Sequence, residues 1–136
     1  MILIKAKKLS EAKRFITKDK SSIREIISPR NSVLKRQSLA ESTVMPGKTT
    51  ECHVHKKSEE IYFILRGKGE AIIGNTKINV TKGTAIPIPP MTTHCITNTG
   101  KKPFVFLCIC SPSYSHDDTV ICVEFPKQGR LIKTGI

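Results

Sequence analysis

Residues 47–67 read Gly47-KTTEC-His53-V-His55-KKSE-Glu60-IYFILR-Gly67. His53 and His55 are two apart, and in an extended strand residues i and i+2 point to one face, so a single strand aims both imidazoles at one point. Glu60 follows a polar turn and opens the apolar run Ile61 to Leu65, a place from which its carboxylate can swing back to the same point. Two neutral nitrogens and one anionic oxygen suit a borderline first-row divalent ion. On this stretch alone, two solvated histidines and an ordinary surface glutamate are the favoured reading.

The second stretch is Gly83-TAIPI-Pro89-P-Met91-TT-His94-CIT-Asn98. It carries a third histidine of only four in the chain, behind a glycine turn and a proline corner. The two stretches together resemble the paired motifs of the cupin superfamily, G-x5-H-x-H-x4-E-x6-G and G-x5-P-x-G-x2-H-x3-N. Every fixed position matches except Met91, which stands where the family carries glycine. The spacer, Lys68 to Lys82, has the short length of small one-domain cupins.

The resemblance implies an all-β fold, a double-stranded β-helix (jelly-roll or cupin barrel), here with a minor N-terminal helical turn. It implies that His53, His55, Glu60 and His94 hold a divalent transition metal (Mn, Fe, Ni, Co or Zn). Four protein ligands on an octahedral ion leave two positions open, the arrangement of a reactive or ligand-binding centre. Three imidazoles and a carboxylate also disfavour a closed, thiolate-rich structural zinc site.

The chain of 136 residues is expected to be one domain. Residues 1–36 form a basic N-terminal segment packing on the barrel, 37–125 the barrel, and 126–136 a C-terminal tail. Eleven Lys or Arg stand against Glu11, Asp19 and Glu25 in residues 1–36, so +8 of the net +12 lies there. No stacking aromatic motif or DNA-reading helix accompanies this charge, which reads as a solvated lysine-rich surface rather than a nucleic-acid site. No apolar run approaches the roughly 18 residues of a membrane span. Met1 to Ile4 is too short for the core of a secretory signal, and the expected location is cytoplasmic. The five cysteines lack C-x-x-C spacing, sit in apolar contexts and read as reduced thiols.

Met1 to Lys8 alternates apolar and basic residues, which predicts an edge strand. Ser10 is predicted to cap a short helical turn running to Phe15. Strands are predicted over 23–27, 38–45, 50–55, 60–65, 70–73, 77–80, 84–88, 93–98, 104–110 and 120–125. Gly74-Asn75 marks a tight hairpin. The strands at 60–65 and 104–110 are apolar on both faces and need cover on both, from the N-terminal segment or a second subunit. A homodimer is the expectation.

Cupin barrels host dioxygenases, isomerases, decarboxylases and non-enzymatic binders, so the resemblance names no reaction. A metal-dependent dioxygenase or isomerase acting on a small molecule would need a general acid or base, for which Tyr62 and Glu41 are the candidates. A non-catalytic small-ligand binder, or a basic adaptor or regulatory protein, are the alternatives. Asn98 reads as a residue that fixes a turn or supports a ligand from behind, and His116 as a loop hydrogen-bonding residue. Met91 is expected at the mouth of the barrel, narrowing access to the metal.

Overall fold

The computed structural model describes residues 2–122. It is built almost wholly of strands: β1 (Arg14–Ile16), β2 (Ser22–Ile27), β3 (Ser38–Val44), β4 (His53–His55), β5 (Glu59–Arg66), β6 (Lys68–Ile73), β7 (Thr76–Thr81), β8 (Ala85–Ile88), β9 (His94–Asn98), β10 (Phe104–Ser111) and β11 (Thr119–Ile121). A six-stranded sheet runs β1-β2-β3-β10-β5-β8 and a five-stranded sheet runs β11-β4-β9-β6-β7. All pairings are antiparallel. Two such sheets facing each other make the jelly roll that the paired motifs imply.

Alternation explains the barrel. Along β5, Glu60, Tyr62 and Ile64 are buried while Glu59, Ile61 and Phe63 are exposed. On β9, His94, Ile96 and Asn98 share the buried face, and on β10 Phe104, Phe106, Cys108 and Cys110 point the same way. Each strand therefore changes chemistry along its length. One end of the barrel is filled by Val44, Ile64, Ala71, Val80, Ile86, Ile88, Ile96, Phe104 and Phe106. The other end carries His, Glu and Cys.

Several boundaries differ from the sequence reading. Residues 2–8 form no strand; the edge of the sheet is taken by β1, which pairs Phe15 with Ile23. The helical turn is a single 3-10 turn, Leu9–Glu11, preceded by Lys8 with no side-chain cap, so Ser10 does not cap it. The His strand is only three residues, because the chain before it pairs with β9 through one isolated bridge, Thr49 to Thr97, and the bond from Thr50 N–H to Ile96 O. β11 spans Thr119–Ile121 and Cys122 follows it outside the strand; residues 123–125 of the predicted strand, with the tail 126–136, lie outside the described residues. Asn98 does fix a turn: its side-chain amide donates to Val44 O and Lys102 O, and its Oδ1 accepts from Gly100 N–H, all at 2.8 Å.

Met91 keeps the backbone of the glycine it replaces, at φ 58°. A side chain in that left-handed region costs on the order of 1 kcal/mol. The corner is held by Met91 N–H donating to His55 O at 2.8 Å. Its side chain does not narrow the entrance. It packs with Cys52, Val54 and Cys122, on the face of β4 opposite the two histidines, where burying an adaptable thioether offsets the strain.

Candidate metal centre

Three short elements converge at the polar end. β4 brings His53 and His55, β9 brings His94 through the cross-strand pair His53–His94, and β5 brings Glu60. His53, His55, His94 and Glu60 are all buried. One nitrogen from each of the three imidazoles lies within 4.8 Å of the others. Glu60 Oε1 stands 3.1 Å from His55 Nε2 and 3.4 Å from His94 Nε2.

The rings are locked from behind. His53 Nδ1 is 2.8 Å from Glu51 O, and His94 Nδ1 is 2.9 Å from Thr92 O. A carbonyl only accepts, so both Nδ1 atoms carry the proton. The Thr119 hydroxyl donates to Ser115 O at 2.8 Å and is left to accept from His55 Nδ1 at 3.0 Å. When neutral, imidazoles fixed in this tautomer each present an Nε2 lone pair to the interior, as metal-ligating histidines do, His55 once the proton it shares with Glu60 is displaced. His94 Nε2 is buried with no hydrogen-bond partner, an orphan that a cation would satisfy. The triad can hold a divalent metal ion, and the donor set fits one.

The electrostatics fit the same arrangement. Burial, reinforced by neighbouring His94, pushes the His53 pKa down to about 4, so this ring is neutral. Burial also disfavours charge on His55, but the hydrogen bond and charge of Glu60 outweigh it and hold its pKa above the ordinary imidazole value. Burial alone would raise Glu60; the bonds and charges of His55 and His94 reverse this and hold it well below the carboxylate range. The Cys110 thiol donates to Glu60 Oε2 at 3.2 Å. Burial and the Glu60 charge push that thiol up, so it orients the carboxylate as a neutral donor.

Of the residues nominated for proton transfer, Tyr62 lines the cavity with His53, His55 and Glu60. Burial, then the charge of Glu60, raises its hydroxyl well above the ordinary phenol value. Glu41 does not reach the site. Ser38, Ala40 and Ser42 of β3 line the cavity, and Glu41, one residue out of phase, belongs to the other face of the sheet. The cavity walls also include Asp19, Ser21, Glu25, Cys108, Tyr114 and Thr119, which no local motif announced. His116 stays outside, its ring edge-on to Tyr114 and its carbonyl accepting from Lys18 Nζ at 3.2 Å. All five cysteines are unpaired.

Comparison with known proteins agrees with this architecture. The family described as Cupin domain matches residues 40–110, and the chain belongs to it. An uncharacterized protein of Methanocaldococcus jannaschii is 49% identical over 109 residues, covering 80% of this chain and 87% of that protein. Glucose-6-phosphate isomerase of Thermococcus onnurineus is 35% identical over 91 residues, 57% of this chain. The match spans 48% of the isomerase, about half its length. Among solved structures, a predicted oxalate decarboxylase of Thermotoga maritima superposes with a TM-score of 0.69 at 23% identity, covering 79% of this chain and 99% of that one. A polyketide cyclase of Streptomyces resistomycificus superposes with a TM-score of 0.70 at 22% identity, over 80% of each chain. These two share the fold. Among the described residues no helix is long and apolar enough to cross a membrane.

Proposed function

We propose that this protein is a mononuclear-metal cupin in which His53, His55, Glu60 and His94 hold one divalent transition metal and a small oxygen-bearing molecule is bound beside it. The observation that carries this is the set of three tautomer-locked imidazoles with nitrogens within 4.8 Å of one another, two of them facing Glu60 Oε1 and one of these without a hydrogen bond. A metal bound there supplies Lewis-acid polarisation of a coordinated oxygen. Tyr62 is the side chain placed to hold or pass a proton beside it. The interior thiols, all unpaired, support a reducing, cytoplasmic setting.

The cavity bears on the ligand. Its volume is about 40 Å³, and among the described residues its walls carry Asp19, Glu25 and Glu60 but no Lys or Arg. One water needs roughly 10–15 Å³ of such volume, so the site as it stands suits a ligand of a few heavy atoms. Sugar isomerisation is suggested by the 35% identity to the Thermococcus enzyme. A sugar phosphate, however, would find no cationic side chain here for its phosphate. Small neutral or chelating oxygen ligands, with isomerase-, decarboxylase- or dioxygenase-type chemistry, fit better.

Metal analysis of untagged protein tests the reading: about one equivalent of a transition metal is expected, and none would overturn it. A screen of the metal-loaded protein against small sugars, hydroxy acids and dioxygen consumption then separates an enzyme from a binder.

We also propose that two chains pair through the outer face of the six-stranded sheet. Ile61 and Phe63 are 45% and 38% exposed. Their cross-strand partners on β10 are Ile109 and Leu107, and on β8 Pro87 and Ala85. This face is a continuous apolar surface that the N-terminal strands do not cover, since they extend the sheet edgewise. Sedimentation is expected to give a dimer, and Phe63→Lys a monomer. A wild-type monomer at high micromolar concentration would refute it.

A further inference from the structure

Asp19 lies outside both motifs and outside the matched span of residues 40–110, yet it enters the centre. It sits in the turn between β1 and β2 and is 7% exposed. The turn is closed by Thr17 N–H to Ser21 O at 2.9 Å and Lys20 N–H to Thr17 O at 3.0 Å, with Lys20 in the left-handed region at φ 72°. It is docked on the barrel by Glu51 N–H donating to Asp19 O at 2.9 Å and by Lys18 Nζ donating to Thr119 O at 2.7 Å. Both anchors adjoin the site, since Glu51 O holds His53 and the Thr119 hydroxyl holds His55.

The two carboxylate oxygens of Asp19 have different surroundings. Oδ1 accepts from the Thr17 hydroxyl and from Ser21 N–H. Oδ2 points into the cavity and stands 3.6 Å from His53 Nε2. That nitrogen bears a lone pair, because the ring proton is spent on Glu51 O. Two buried acceptors facing each other repel unless a cation lies between them. Glu60 Oε1 faces the Nε2 atoms of His55, with which it shares a hydrogen bond, and of His94, 3.4 Å away. Each of the three nitrogens thus opposes a carboxylate, Glu60 for two of them and Asp19 for the third. Ligands about 2.1 Å from one ion at right angles to each other lie about 3 Å apart, and opposed ligands about 4 Å apart. The separations of 3.1, 3.4 and 3.6 Å fall within that span.

We propose that Asp19 is a fifth metal ligand, binding through Oδ2. This rests on the metal-site reading above. It occupies one of the two positions that the four motif residues leave open, so the resting centre exposes a single position. A chelating molecule must displace Asp19, and the β1–β2 turn that carries it thereby becomes part of ligand selection.

Asp19→Asn tests the idea, because the amide keeps an acceptor for Thr17 and Ser21 and removes only the charge. Cobalt(II) is the probe, with affinity read by chelator competition and coordination read from the visible spectrum. The variant should bind cobalt 10–100-fold more weakly, with an altered spectrum, while its metal-free melting temperature stays at or above that of wild type. Unchanged affinity and spectrum would overturn the assignment and leave the four-residue site intact. Failure of the wild type itself to bind cobalt would overturn the underlying reading as well. Should the variant not fold, the crystal structure of the cobalt-loaded wild type decides: Oδ2 within about 2.3 Å of the ion supports direct ligation, and a longer distance refutes it.

Discussion

Replacing His94 by Ala is expected to remove most of the part of the protein's heat stability that depends on metal. His94 is fully buried, its ring is fixed through Thr92 O, and its Nε2 makes no hydrogen bond, with Glu60 Oε1 3.4 Å away. In the wild type, saturation with metal at a thousandfold excess over Kd stabilises the fold by about 4 kcal/mol. For a chain of this size that corresponds to a rise in Tm of roughly 10–15 °C. The variant should lose affinity by at least about 100-fold, so that at the same metal concentration the stabilisation falls to about 1.4 kcal/mol or less and the rise in Tm to about a third, which differential scanning calorimetry with and without added metal measures directly. A full metal-dependent shift in His94→Ala would refute the site.

The pH dependence has a definite sign. Glu60 holds the folded-state pKa of His55 above its ordinary value. Without metal, the charged pair therefore stabilises the fold fully below the unfolded imidazole pKa of about 6.5, and this contribution is lost as pH rises through the folded value. Metal needs the same nitrogen unprotonated, so affinity must rise across that window, with about one proton released per ion. Affinity that is flat between about pH 5.5 and 8 would contradict the assignment of His55 as a ligand.

Most of the centre was legible because its parts are local. His53 and His55 lie on one strand face, Glu60 is the second residue of β5 and His94 the first of β9, so strand parity within each segment places them. What depends on pairing between segments was not legible. Glu41 faces away because β3 is registered on β10 with Ser42 opposite Phe106 and Ala40 opposite Cys108, which turns the even-numbered residues inward. Nothing within β3 specifies that register. Asp19 was invisible for a related reason. An aspartate between two lysines in a polar loop reads as a surface residue, and only the docking of the β1–β2 turn against Glu51 and Thr119 buries it. Met91 was half legible. The motif comparison located the left-handed corner, but the bond from its N–H to His55 O directs the side chain to the outer face of β4.

The second large effect is expected at the apolar end of the barrel. Phe104 is 0% exposed. Its ring stacks at a tilt on Phe106 with centroids 5.3 Å apart, Phe106 lies 4.7 Å from Tyr62, and Tyr62 lies 5.9 Å from His94. This aromatic series joins the core to the centre. Phe104→Ala removes its base and should cost about 3–5 kcal/mol, the usual loss for a buried phenylalanine. Urea denaturation should show a lower midpoint, and Tm should fall by roughly 10–15 °C. The ring also explains Gly69 on β6. A Cβ there would come within 2.6 Å of Phe104 Cε2 and 2.5 Å of Thr97 O. Gly69→Ala should therefore destabilise by about 1–3 kcal/mol through overpacking. The two obstacles differ in kind, since one is a side chain and the other is backbone of neighbouring β9. Combining Gly69→Ala with Phe104→Leu relieves only the ring contact, so the double variant should remain less stable than Phe104→Leu alone. Equal stability of the two would mean that Thr97 O is not a fixed obstacle and that the β6–β9 pairing yields at this point.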